Sequence, residues 1–259
     1  MRVVLIGAGR LATNLAPALA HSGHCIAQVY SRTMASASVL AERHGCAACN
    51  RLEQVVDDAD VYILAVKDSV LPQLVPSLCQ GRVGALFLHT AGSMPLSLFE
   101  GHARHYGVLY PMQTFSKERI VDFSRIPVFV EASDDVALQQ VTELACSVSG
   151  HVRQLSTEHR RYLHLAAVFA CNFANHCYAL SAQVLEQCGL PFDVMLPLID
   201  ETAAKVHGLS PREAQTGPAV RYDENVIQAQ SQLLAGNPMM QRVYELMSQS
   251  IHTNCSDND

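Results

Sequence analysis

Gly7-Ala8-Gly9-Arg10-Leu11-Ala12 directly follows the apolar run Val3-Val4-Leu5-Ile6, and Leu11, Leu15, Ala18 and Leu19 then recur at helical spacing. The segment therefore reads as G-x-G-x-x-A between a strand and a helix, the context in which that pattern carries meaning. Gly7 permits a tight turn, Gly9 lets backbone approach a pyrophosphate, and Ala12 lets the helix pack close to the strand. The free N–H groups of the helix start then face the phosphates. These residues predict a dinucleotide site with Gly7, Ala8, Gly9, Arg10 and Leu11 at its floor. About 20 residues past the glycines an NAD site usually places an acid on the ribose 2′-hydroxyl. This chain has Ser31-Arg32-Thr33 there instead. A guanidinium and two hydroxyls suit a 2′-phosphate, which a carboxylate would repel, so the predicted cofactor is NADP(H). Ala65-Val66-Lys67-Asp68 and His89-Thr90-Ala91-Gly92-Ser93 follow two further strands and are expected to line the same groove.

A second set of polar residues lies on a long helix. His164, Val168, Asn172 and His176 are spaced by four and share a face. His164 could pass a proton to or from a carbonyl or imine while hydride moves, and Asn172 could orient the substrate. The alternative is that these residues bond backbone or a partner subunit, because unpaired buried polar groups cost about 1–3 kcal/mol each. Tyr162 is a weaker proton donor. Tyr110-Pro111-Met112-Gln113-Thr114 follows a strand and could close the substrate side, with Gln113 and Thr114 as neutral donors and acceptors. Arg221, near Thr216-Gly217-Pro218-Ala219, could anchor a carboxylate or phosphate, with Asp223 close enough to neutralise it. Cys46-Ala47-Ala48-Cys49 has the two-cysteine spacing of zinc and redox motifs, but no second pair follows. No metal is expected.

The elements that must hold these residues follow from periodicity. Strand-like runs at 3–6, 25–30, 46–48, 60–66, 84–89, 108–110, 128–131 and 152–155 alternate with helical patterns, as in a parallel sheet covered by helices. Beyond about residue 156 no strand pattern remains. Helices are expected at 158–188, 192–207, 220–234 and 238–251, with a polar, frayed tail at 253–259. The expected fold is α/β, an N-terminal Rossmann parallel sheet with a C-terminal all-helical domain. Residues 1–155 form the NADP-binding part, and residues 156–259 form a helical part for substrate and dimerisation.

The 259 residues are 49% hydrophobic and 16% charged, with a formal net charge of −6. Such a chain buries a large core and shows no basic footprint for nucleic acid. No apolar stretch reaches the roughly 18 residues of a membrane span, and no signal-peptide pattern opens the chain. Nine scattered cysteines read as reduced thiols. The reading is a soluble cytoplasmic protein that acts on a small molecule.

These residues resemble pyrroline-5-carboxylate reductase and its relatives, the 6-phosphogluconate and β-hydroxyacid dehydrogenases and the F420-dependent NADP reductases. The likeness runs through Gly7–Ala12, Ser31-Arg32-Thr33, Ala65-Val66 and Thr216-Gly217-Pro218-Ala219. A nearer likeness is to an uncharacterised bacterial branch, a Rossmann-like domain followed by a C-terminal domain of unknown function. Its marks are His89-Thr90-Ala91-Gly92-Ser93, the run from Tyr110 to Ser116, and the run from Tyr162 to Asn172. The resemblance implies an NADP-dependent oxidoreductase with an interdomain active site and a dimer built from the helical halves. It supplies no substrate. β-Hydroxyacid dehydrogenases place a catalytic lysine one turn before an asparagine, and Val168 stands in that place here; the proline-reductase signature is also not intact. Two readings stay open. One is hydride transfer to or from a small carbonyl, imine or hydroxy compound; the other is a non-catalytic NADP(H)-binding sensor or regulatory protein.

Overall fold

In the computed structural model, residues 1–256 are described. The chain forms two compact units, Met1–Asn172 and Phe173–Asp259.

The first unit is built on one eight-stranded sheet. Its strands are β1 (Arg2–Ile6), β2 (Cys25–Tyr30), β3 (Ala47–Cys49), β4 (Val61–Leu64), β5 (Leu86–His89), β6 (His105–Pro111), β7 (Val128–Ala132) and β8 (Val152–Gln154). They lie in the order β3-β2-β1-β4-β5-β6-β7-β8. The first six are mutually parallel, and their order reverses direction between β1 and β4, which is where such sheets open a ligand crevice. Strands β1, β4 and β5 are buried on both faces, as their unbroken apolar runs require. Val3, Leu5, Ile63 and Leu88 face one layer of helices. This layer is α1 (Arg10–His21), α2 (Met34–His44) and α4 (Asp135–Val148). Val4, Ile6, Tyr62, Leu64 and Phe87 face α3 (Leu71–Cys79) and Phe99 on the other side. Helices α1, α2 and α3 follow the parallel strands β1, β2 and β4, so they begin at the carboxyl edge of the sheet, where the candidate site lies; α4 follows the antiparallel β7 and begins at the opposite edge, beside the start of β6.

One expectation needs correction. The sheet is not parallel throughout, because β7 runs antiparallel to β6. A parallel return usually needs a crossover helix. Residues 112–127 hold only a short 3-10 turn, Phe123–Arg125, and Met112 N–H donates to the Pro127 carbonyl at 2.9 Å. The segment therefore folds back as a wide hairpin.

The long helix also differs from its reading. It begins as α5 (Thr157–Ala167), capped by the Ser156 hydroxyl, and passes into a π-helical turn over Val168–Phe173. A π-turn takes an extra residue and shifts the phase of the helix beyond it. The four-residue spacing of His164, Val168 and Asn172 thus does not trace one straight face.

The second unit is helical: α6 (Ala174–Glu186), α7 (Leu196–Lys205), α8 (Glu224–Leu233) and α9 (Pro238–Ser256). Gly189, in the left-handed region, lies just past the end of α6. Asn237 caps α9 through Met240 N–H at 3.1 Å. Helix α9 continues to Ser256 through residues read as a frayed tail; residues 257–259 of that reading lie outside the described residues. No residue of α7 is buried.

Candidate active site

The glycine turn after β1 forms the floor of a groove of about 730 Å³. Gly7 has φ +119°, and a Cβ there would stand 2.3 Å from the Ala65 carbonyl oxygen. Backbone from β1 and β4 therefore meets at a distance only glycine allows. The groove is lined by Gly7, Ala8, Gly9 and Arg10, by Ser31, Arg32 and Thr33 at the end of β2, and by Ala65 and Val66 at the end of β4. None of its lining residues carries a carboxylate. Arg32 is exposed, so its charge is free to meet a ligand. The cradle fits an NADP dinucleotide: backbone N–H groups for the pyrophosphate, and Arg32 with the Ser31 and Thr33 hydroxyls for a 2′-phosphate. Lys67 and Ser36 line the same groove. Lys67 belongs to the loop 65–68 that the sequence reading expects along the groove; Ser36, in the first turn of α2, is outside that reading.

Three residues expected around the cofactor are placed elsewhere. His89 is corrected: its side chain is fully buried, because it ends the central strand β5 between β4 and β6. Its ring stacks on Phe99, and its Nδ1 accepts from Ala91 N–H at 3.2 Å. Burial first, then the nearby Arg160 charge, push its pKa down to about 3. It is a neutral core group rather than a cofactor contact. The Thr90 hydroxyl donates to the Leu64 carbonyl and does not line the groove. Leu11 lines the adjoining cavity instead.

That second cavity has a volume of about 620 Å³ and lies within the first unit. Arg10 lines both cavities. Four residues picked from sequence meet here: His164, Asn172, Gln113 and Thr114. The rest of the wall is largely apolar, including Met112, Phe115, Leu163 and Val168. The π-turn supplies Val168, Ala170, Cys171 and Asn172, so the helical irregularity lies at the cavity wall. π-Turns of this kind recur at functional sites.

Tyr110 falls in the segment that the sequence reading expects to close the substrate side, but that reading gives it no role of its own. It ends β6, is nearly buried, and its hydroxyl stands 3.0 Å from His164 Nδ1. The ring of His164 meets it edge-on, with centroids 6.1 Å apart. Burial raises the Tyr110 pKa, so the phenol keeps its proton. The available signal was its position as the last polar residue of a buried strand, at the sheet edge where ligands bind.

Helix α5 is fixed to the sheet by a buried cation. Arg160, 1% exposed, pairs with Glu131 of β7 and donates to the Met94 carbonyl at 2.5 Å. Glu131 also accepts from Thr157 N–H at 2.7 Å and from its hydroxyl at 2.8 Å. Arg161 Nε donates to the Ser93 carbonyl at 3.1 Å, and the Ser93 hydroxyl donates to Asp68. The loop after β5 is thus held against the helix turn that precedes His164. Gly92 in that loop touches His164 so closely that a Cβ would stand 2.5 Å from Nδ1 and 2.6 Å from Cγ.

Asn172 lines the cavity from an exposed position, and other expected residues stand apart from it. Asn172 and His176 are exposed, as is Tyr162, so the premise that an apolar helix buries them does not hold in the single chain. Arg221 belongs to the second unit, is exposed, and does not line the 620 Å³ cavity. Cys46 and Cys49 have pKa values raised by burial, which makes them poor nucleophiles.

Residues 2–88 match the family described as NADP oxidoreductase coenzyme F420-dependent, and residues 126–251 match a domain of unknown function, DUF2520. A crystal structure described as "putative NADP oxidoreductase BF3122 from Bacteroides fragilis" is 54% identical, with a TM-score of 0.94 over 97% of this chain and 98% of that one. The chain belongs to this NADP oxidoreductase family. More distant members of the same fold include an imine reductase from Myxococcus stipitatus in complex with NADP+. It is 16% identical, with a TM-score of 0.71 over 100% of this chain and 95% of that one. A 1-pyrroline-5-carboxylate reductase from Streptococcus pyogenes is 12% identical, with a TM-score of 0.64 over 98% of each chain. No curated protein matches the chain. NADP oxidoreductases of this family thus combine the Rossmann-like sheet with a helical C-terminal region, and both are present here.

Proposed function

We propose that this family member transfers hydride between NADP(H) and a small carbonyl, imine or hydroxy compound held in the 620 Å³ cavity. One observation carries the reading: His164, Asn172, Gln113 and Thr114 meet in a cavity that shares Arg10 with the dinucleotide groove. Residues 1–155 serve as the NADP-binding part and residues 156–259 as the part for substrate and dimerisation. NADPH, when bound, supplies hydride.

The protein's own residues do the rest. Gly7, Gly9 and the start of α1 hold the pyrophosphate, and Arg32 selects the 2′-phosphate. His164 gives its proton to the substrate oxygen or nitrogen in the reductive direction and takes it back in the reverse one. Asn172, Gln113 and Thr114 orient the reacting group by neutral hydrogen bonds. The apolar wall excludes water and favours substrates with a hydrocarbon body. Arg221 remains a proposed anchor for an anionic substrate group. All nine cysteines are free thiols, which suits a reducing compartment, and we place the protein in the cytoplasm.

The test is NADPH consumption over a panel of small ketones, aldehydes and cyclic imines, with His164→Asn beside the wild type. Proton transfer by a positioned group contributes about 10²–10⁴-fold, so the variant should lose at least about 100-fold in kcat while binding NADPH normally. Equal turnover by variant and wild type would remove His164 from the mechanism. NADPH binding with no turnover over the whole panel would favour a sensor.

A further inference from the structure

We propose that Tyr110 is a positioning residue for His164: its hydroxyl holds Nδ1, so that Nε2 is the nitrogen that exchanges a proton with substrate. The proposal rests on the functional reading above for the use of that proton, but the pairing itself stands on geometry.

Three contacts define the His164 ring. The Tyr110 hydroxyl lies 3.0 Å from Nδ1. Gly92 packs against Cβ, Cγ and Nδ1, closing that edge of the ring to anything larger than a hydrogen atom. Arg160, four residues earlier on α5, fixes the preceding turn to Glu131 and the Met94 carbonyl. The Nδ1 edge is therefore filled by protein, and Nε2 is left for the cavity that His164 lines. In a neutral imidazole one nitrogen donates and the other accepts, and the partner of one sets the role of the other. The phenol oxygen accepts from Nδ1–H and selects the Nδ1–H tautomer, which leaves the Nε2 lone pair to take a proton. When the ring is protonated, Nδ1–H donates to the same phenol oxygen. Tyr110 thus serves both states without moving, because Nδ1–H donates to its oxygen in each.

The proton balance is simple. Hydride addition to the substrate carbon breaks the C=O or C=N π bond. The electron pair moves to the heteroatom, which takes the Nε2 proton of the imidazolium, and the ring is left neutral with Nδ1 still bonded to Tyr110. The oxidative direction reverses each step.

The direct test is nitrogen-15 NMR of protein labelled at histidine, with the His164 ring assigned by its loss in His164→Asn. At a pH where the ring is neutral, the wild type should show the Nδ1–H tautomer at His164. Tyr110→Phe keeps the ring and removes only the hydroxyl, and it should move His164 towards a mixture of tautomers. Gly92→Ala displaces the imidazole by another route and should give a similar change. An Nε2–H tautomer in the wild type, or His164 shifts unchanged in Tyr110→Phe, would overturn the pairing. On a substrate found in the panel, Tyr110→Phe should lower kcat about tenfold with KM for NADPH unchanged. If His164→Asn turns over normally while the tautomer result holds, the proton-donor reading fails and the positioning of the ring survives.

Discussion

At the scale of single residues, the site depends on which polar groups the fold buries and which it leaves open. Arg32 and His164 could be picked from sequence because their types and positions match a chemical task at a strand end or on a helix. His89 could not be placed, since a histidine ending an apolar strand reads equally well as a ligand contact or as a core group. The deciding fact is its neighbour strands on both sides. Tyr110 could be assigned to a segment on the substrate side, but its pairing with His164 is silent in sequence because the partner lies 54 residues away. The burial of His89 carries its own prediction. Its folded pKa lies near 3, below the ordinary value of 6.5. The unfolded chain therefore binds a proton that the folded chain refuses between those two values, and stability falls as pH drops through that window. The slope from this one group approaches about 1.4 kcal/mol per pH unit. Urea midpoints should fall as pH is lowered from 7 to 4.5, and His89→Gln should flatten that fall. His24 and His44, both half-buried with lowered pKa values, leave some acid sensitivity in the variant. A midpoint unaffected by pH in the wild type would contradict the buried neutral ring.

At the scale of elements, strands and helices of the first unit were legible because each has an unambiguous period. β1, β4 and β5 are short apolar runs, and α1 keeps Leu15 and Leu19 on its buried face. Their ends moved by a few residues, as expected where hydrogen bonding and not hydrophobicity sets the boundary. Strand direction was not legible at β7. Hydrophobic pattern is the same for parallel and antiparallel pairing, and only the missing crossover helix between β6 and β7 marks the difference. The π-turn at Val168–Phe173 was also silent in sequence, because Val168, Phe169 and Cys171 fit an ordinary helix as well. Its consequence is local to the cavity, which takes four of its lining residues from that turn. The buried Arg160–Glu131 pair gives α5 a fixed rotation on the sheet. Together with the bonds from Thr157 to Glu131 and from Arg161 to the Ser93 carbonyl, that lock gives the histidine a defined edge to offer.

At the scale of the whole molecule, the apolar composition has a visible outlet. Large hydrophobic side chains are exposed along the long helix and in the second unit: Leu165 at 53%, Phe169 at 62%, Leu198 at 62% and Leu246 at 62%. Helix α7 buries nothing. Surfaces of this kind mark protein–protein interfaces when they are contiguous, and we propose that a second copy covers them. Light scattering should give twice the 28.2 kDa chain mass; a particle of one chain mass at micromolar concentration would refute the dimer. Among the described residues no helix is long and apolar enough to cross a membrane, so a bilayer-spanning helix is not the outlet.

The central claim is that the Gly7 turn and the Ser31-Arg32-Thr33 corner hold NADP and not NAD. Calorimetric titration with NADPH and with NADH tests it most directly, with Arg32→Ala measured beside the wild type. The account predicts clear preference for NADPH in the wild type and loss of most of that preference in the variant, since a bidentate guanidinium–phosphate pair is removed. Equal affinity for the two cofactors in the wild type, or a preference that survives Arg32→Ala intact, would contradict it.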